Sequence, residues 1–189
     1  MVRGREKFSR YKPIISSLVT ICNLFPEVIR QKLFVLFRLT TGNKGLLIRY
    51  ILLKSLAKSC GDNVSVHPGV YILNPQKISI GNNVSIHPMC YIDALGEINI
   101  GNDVSIAHGV TIMSSTHQYS NLKISIKDQP VDALKTDIYE NVWVGAKVTI
   151  LAGVEVNSGS VLAAGAVVTK NVERDTIVGG VPAKKIKNR

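Results

Sequence analysis

Aliphatic side chains recur along most of this chain at every sixth position. They occupy 66 and 72, then 80, 86 and 92, then 100, 106 and 112, with Cys60 in the slot that opens the series. The count resumes at Ile138, Val144, Ile150, Val156, Leu162 and Val168. Around these slots the words GDNVSVHPGVYI, GNNVSIHPMCYI and GNDVSIAHGVTI follow one another at a period of twenty residues. A helix repeats every 3.6 residues and a half-buried strand every two, so neither explains a period of six. Stacked coils do, because each unit buries its apolar side only against the next. Three hexads make one three-sided turn. The two extra residues of the early units, Asn74-Pro75 and Ala94-Leu95, fit a bulge at one corner. The pattern predicts an all-β protein, a parallel β-helix over residues 59–189.

Residues 1–58 follow another rhythm. IISSLVTICNLF, VIRQKLFVLFRL and GLLIRYILLKSLA are apolar stretches carrying basic residues, too long for these strands and suited to amphipathic helices. Pro26 is expected to start the second helix and Thr41-Gly42-Asn43 to end it. Such helices suit two compatible roles: covering the open end of the β-helix, whose strand edges are otherwise unpaired, or lying on a membrane surface. A second interruption, residues 113–137, breaks the hexads with a long insertion, and long excursions from a rigid scaffold tend to be functional. The tail, VGGVPAKKIK, closes the chain with a turn and a basic end.

Charge sharpens this division. Residues 1–58 hold twelve Lys and Arg against Glu6 and Glu27, whereas residues 59–189 hold eleven basic and eleven acidic residues. The whole net charge of +10 therefore sits in the N-terminal segment. It suits either a solvated basic face or attraction to anionic lipid headgroups or an acidic acceptor. Nucleic acid is not expected, because no aromatic-interleaved basic platform is visible. No run of eighteen apolar residues suggests a transmembrane helix, and no apolar stretch with a cleavage site suggests a signal peptide. Cys60 and Cys90 read as small core residues and Cys22 lies in an apolar helical stretch; an odd number without paired spacing fits a reducing, cytoplasmic compartment. A peripheral place at the inner membrane surface is compatible with the basic segment.

The ordered set YIDALGEINIGNDVSIAHGVTI, TIMSSTHQYS, ENVWVGAKVTILAGV and AAGAVVTKNVERDTIVGGVPAKKI resembles the hexapeptide-repeat acyltransferases over roughly residues 60–187. The resemblance is specifically to the sugar O-acetyltransferase branch near the maltose, galactoside, nodulation, colanic-acid and O-antigen acetyltransferases. This resemblance implies a left-handed β-helix, acetyl-CoA as cosubstrate, and a homotrimer with active sites between subunits. It also implies a sugar or polysaccharide precursor as the acceptor. Left-handedness comes from the resemblance alone, since parallel crossovers are generally right-handed.

Transfer of an acetyl group to a hydroxyl needs a base for the hydroxyl proton, and imidazole suits that task near neutral pH. His67 and His87 occupy one repeat position, each before a proline, which argues for turn chemistry; His108 falls at a coil corner. His117 lies in the insertion, outside the repeat, and matches the family's catalytic histidine. The plain alternative is an exposed loop histidine. Asp93, at the corner one coil below, is the favoured orienter or acceptor-binding group, although an ordinary turn aspartate reads the same way. Glu97 lies at a bulged corner whose direction the sequence leaves open. Tyr119 and Trp143 match family positions that shape the acceptor site, and Gln118 stands where the family commonly has Asp. By the same resemblance Ala146, Ala164 and Thr169 contact the pantetheine arm, and Lys170, Lys184 and Lys187 lie near the nucleotide phosphates. A solvated coil end is the alternative for these lysines. Two other activities stay open: N-acetylation of an amino sugar, and a zinc enzyme resembling the γ-class carbonic anhydrases with His87, His108 and His117 as ligands. No metal is expected.

Overall fold

The structure, a computed structural model, describes residues 4–189. Helices α1 (Gly4–Cys22), α2 (Glu27–Leu36) and α3 (Gly42–Leu56) precede the first strand, with a 3-10 turn at Phe37–Leu39. From Ser59 onward the chain winds as a parallel β-solenoid of about six turns. Three sheets run along it, each receiving one short strand per coil. The hexad slots stack in register within each sheet. Cys60 pairs with Ile80, then Ile100, Ile138 and Val156 in the first sheet. Val66, Ile86, Ile106, Val144, Leu162 and Val178 line the second. Ile72, Ile92, Ile112, Ile150 and Val168 line the third.

Nearly all these side chains point inward and are buried. At ~1.5–3 kcal/mol for each fully buried aliphatic side chain, the columns are the main source of cohesion. The polar letters of the repeat make the corners. Asn63, Asn83, Asp103 and Asn141 sit at φ of 55° to 59°, the left-handed region that Asn and Asp tolerate best among residues with a side chain. The Asn63 amide donates to Asn83 Oδ1 (3.1 Å), and the Asn83 amide to Asp103 Oδ1 (3.2 Å), forming a ladder up one edge. The two-residue excess also falls at one corner. Pro75–Lys77 forms a 3-10 turn there in the first coil, and a turn ending at Glu97 occupies the same corner in the second.

Thr41-Gly42-Asn43 does not end the second helix. That helix stops at Leu36, and Thr41 is the N-cap residue of α3. The reason lies in Arg49, a fully buried residue of α3. Its Nη1 donates to the carbonyls of Phe37 (3.0 Å) and Thr40 (2.5 Å), so a side chain satisfies the helix end instead of a glycine cap. Arg49 Nε reaches across to the Val66 carbonyl (2.8 Å), tying the helices to the first coil. Tyr50 and Lys54 of α3 donate to the Gly61 carbonyl at 2.9 and 3.2 Å. Asp62 holds Lys54 and Lys12 of α1 at 3.0 and 2.5 Å. The helical layer thus covers the open end of the solenoid. At the other end, Ala183–Asn188 turns back antiparallel on Thr176–Gly180.

Candidate active site

Residues 113–137 leave the solenoid between the third and first sheets, at the corner where the two earlier coils carry their extra residues. The insertion is an arm built on an antiparallel pair, Ser115–His117 against Val131–Ala133, with His117 opposite Val131. Gly96 seats its base. A Cβ there would lie 2.2 Å from the Ser114 carbonyl oxygen and 2.4 Å from the Leu134 nitrogen, so only glycine lets the arm approach. His117 and Tyr119 stand exposed on the arm. Gln118 bonds within it, its amide nitrogen donating to Asp132 Oδ1 (2.7 Å).

Asp93 lies beneath the arm and is almost fully buried. Its carboxylate accepts from Ser115 Oγ (2.6 Å), from the Leu95 backbone N–H (3.2 Å) and from the Asn74 amide (3.4 Å). His117 is not among its partners. Ser115 and His117 are two apart in one strand and so share a face of the arm. Sequence reading missed Ser115 and Asn74; a serine two residues before the histidine was the available signal. Glu97 pairs with Lys58 at 3.2 Å and takes no part at His117.

The corner between the second and third sheets is different. Pro68, Pro88, His108, Ala146 and Ala164 stack there in successive coils, each carbonyl from Pro68 to Ala146 accepting from a backbone N–H of the coil above. Ala146 is half-buried and Ala164 exposed. A Cβ on neighbouring Gly145 would meet the Leu162 carbonyl oxygen at 2.6 Å and the Ala164 nitrogen at 2.7 Å. Small side chains therefore leave the backbone of this edge bare, which fits a flat, amide-bearing chain such as pantetheine. Lys184 pairs with Gly179 beside the top of this edge, and Lys187 with Ile177 farther along the strand. Thr169 and Lys170, both exposed, follow Val168 at the other corner, the one that carries the arm. Lys170 lines a cleft of about 210 Å3 with Lys185, itself paired with Glu173 at 2.8 Å. Trp143 projects from the second sheet and is exposed.

The chain thus gathers Asp93, Ser115, His117, Thr169 and Lys170 along one edge, and Ala146, Ala164 and Lys184 along another. One copy does not bring His117 to the alanine edge. His67 and His87 stack at 4.8 Å between ring centroids, as their shared repeat position predicts. Burial, then the charges of His87 and Arg49, hold His67 below its usual pKa. Burial pushes the Cys60 thiol up to about 12, making it an inert core group. His87 and His108 belong to the alanine edge and His117 to the arm; among the described residues no three His, Cys, Asp or Glu side chains converge as metal ligands.

No protein-family model matches the chain. It is 31% identical to a galactoside O-acetyltransferase of Escherichia coli over 140 residues, 74% of this chain and 68% of that one. A tetrahydropyridine-dicarboxylate N-acetyltransferase of Staphylococcus aureus is 46% identical over 59 residues, 31% of this chain and 25% of the relative. The chain spans 42%, 25% and 26% of the lengths of the first three curated relatives, less than half of each. Among solved structures, a maltose O-acetyltransferase of Clostridium difficile superposes with TM-score 0.74 at 26% identity, over 86% of this chain and 85% of that one. A Vibrio cholerae acetyltransferase solved with acetyl coenzyme A gives 0.75 at 26% identity, over 84% of each chain. The six-residue register, the arm at its corner and these relatives agree: the chain belongs to the hexapeptide-repeat acetyltransferase family.

Proposed function

We propose that this protein is an acetyl-CoA-dependent O-acetyltransferase that modifies a hydroxyl of a sugar or polysaccharide precursor. The observation that carries the reading is the place of His117, the one histidine lifted out of the coils and presented on an arm. Its imidazole takes the proton of the acceptor hydroxyl as that oxygen attacks the thioester carbonyl. The carbon–sulfur bond then breaks, and the proton passes to the departing thiolate. Asp93, through Ser115, holds the arm that presents the imidazole. Ala146 and Ala164 receive the pantetheine arm of acetyl-CoA along the bare edge, Thr169 adds a contact, and Lys170, Lys184 and Lys187 supply cations for the phosphates. Tyr119 and Trp143 flank the acceptor.

The separation of the arm from the alanine edge supports a homotrimer in which His117 of one copy serves the edge of its neighbour. The family relation supports the same assembly. The test is acetyl-CoA consumption with candidate sugars, nucleotide sugars and lipid-linked glycans, with product mass showing which is modified. His117→Ala is expected to lower turnover by about two to four powers of ten while CoA binding persists; unchanged turnover would refute the assignment. The match to the Staphylococcus aureus N-acetyltransferase favours a second reading, acetylation of an amino sugar. Hydroxylamine cleaves an ester product and spares an amide, which separates the two.

A further inference from the structure

We infer that the outer side of the three-helix layer docks on an anionic lipid bilayer, with α1 and α2 lying in its headgroup region. The inner side of α1 is accounted for by Ile15 and Cys22, which are buried in the layer. A second apolar stripe runs along its outside. Tyr11, Ile14, Leu18 and Ile21 recur at three- and four-residue spacing and are 53%, 60%, 37% and 53% exposed, and Phe25 continues the line at 48%. On α2, Val28, Ile29, Val35 and Leu36 are exposed around Lys32, each one helical turn from it. Between the helices opens a groove of about 220 Å3 lined by apolar side chains of all three, Leu18, Phe25, Leu33 and Ile51 among them. A contiguous apolar surface of this kind, edged by cations, marks an interaction site.

Charge decides what covers it. Residues 1–58 carry a net +10 in sequence. Lys12, Lys54 and Lys58 are ion-paired with the coils and Arg49 is buried, yet the surplus stays positive. A second copy set against it would meet like charge, whereas anionic headgroups complement it. Arg10, Lys32 and Lys44 are exposed and have no ion-pair partner among the described residues. Among the described residues no helix is long and apolar enough to cross a membrane. Apolar side chains at the acyl boundary with cations above them make a two-part interfacial anchor. The apolar part distinguishes this docking from the attraction that any basic segment has for an acidic surface. The inference concerns the helical layer alone and does not depend on acetyl transfer.

The test is co-sedimentation of the full chain with phosphatidylcholine vesicles, with and without phosphatidylglycerol, at low and high salt. Binding to the anionic vesicles is expected, reduced at high salt but not abolished. The double variant Ile21→Asp, Phe25→Asp is expected to weaken binding by about tenfold or more. Lys32→Glu should remove part of the salt-sensitive component. Unaltered circular dichroism and melting temperature of the variants show that the fold is retained; if Asp substitutions unfold the layer, Ile21→Ser and Phe25→Ser replace them. Failure to bind anionic vesicles at low salt overturns the inference, as does binding indifferent to the apolar substitutions. An assembly that those substitutions dissociate, seen by light scattering, would assign the face to a second copy and overturn it equally.

Discussion

At the residue scale the candidate site shows one short contact beneath the arm and no direct pairing of Asp93 with His117. Asp93 binds Ser115 at 2.6 Å, and Ser115 shares its strand face with His117. Ser115→Ala is expected to lower kcat by about tenfold, the worth of one hydrogen bond to a charged group. The KM for acetyl-CoA should stay near its original value, because Ser115 is not among the residues proposed to hold the cosubstrate; a kcat that does not move would mean that Ser115 does not position His117. His117 was legible in the sequence because it breaks a repeat. Ser115 was not, because strand parity has meaning only once the segment is known to be a strand. A pH dependence of stability belongs to this scale too. Burial, then the charges of His87 and Arg49, keep the folded His67 from taking up a proton that the unfolded chain accepts near its ordinary 6.5. The unfolded state therefore binds more protons there, and stability falls as pH drops below about 6.5. Asp62 acts lower on the scale: the Lys12 and Lys54 ammonium groups hold its carboxyl below its ordinary 3.8, so its contribution is present above that value and lost as pH falls through the folded one. Tm measured from pH 8 down to pH 3 should stay level at first and decline from about pH 6.5, and His67→Gln should flatten the first part of the decline.

At the scale of elements, two devices join units that the repeat does not specify. The arm needs a glycine at its root. Gly96→Ala would set a methyl within 2.4 Å of two backbone atoms, so the arm must shift. A loss of ~1–3 kcal/mol is expected in denaturant melts, together with lower turnover, because His117 moves with the arm. The helical layer depends on Arg49, a buried cation spanning α3, the end of α2 and the first coil. Arg49→Met keeps the apolar stem but removes the donor to the Val66 and Thr40 carbonyls, and a loss of about 3 kcal/mol is expected by urea unfolding. The periodicity predicted the strands, their register and the corner bulges, because each depends on a few neighbouring residues. The end of the second helix was misread for the opposite reason. Its cap comes from a residue nine or more positions away, which no local turn signal announces.

At the scale of the whole molecule, the three-sided solenoid separates the parts of the proposed site. The arm leaves one edge, and Ala146 and Ala164 line another. On the proposed function a single copy holds only part of the site, and light scattering is expected to give three times the 20.6 kDa of one chain. A chain that turns over acetyl-CoA as a monomer would contradict this assembly. By itself, the sequence determined the solenoid, its three faces and the histidine that departs from them, because a period of six is imposed by side chains that must bury against their own repeats. It also determined that the positive charge belongs to the helices. Tertiary structure alone decided which edge each candidate occupies, that Asp93 meets Ser115 rather than His117, and that Arg49 locks the helical layer. Those facts depend on how distant segments meet around the corners of the coil, and no spacing along the chain encodes that distance.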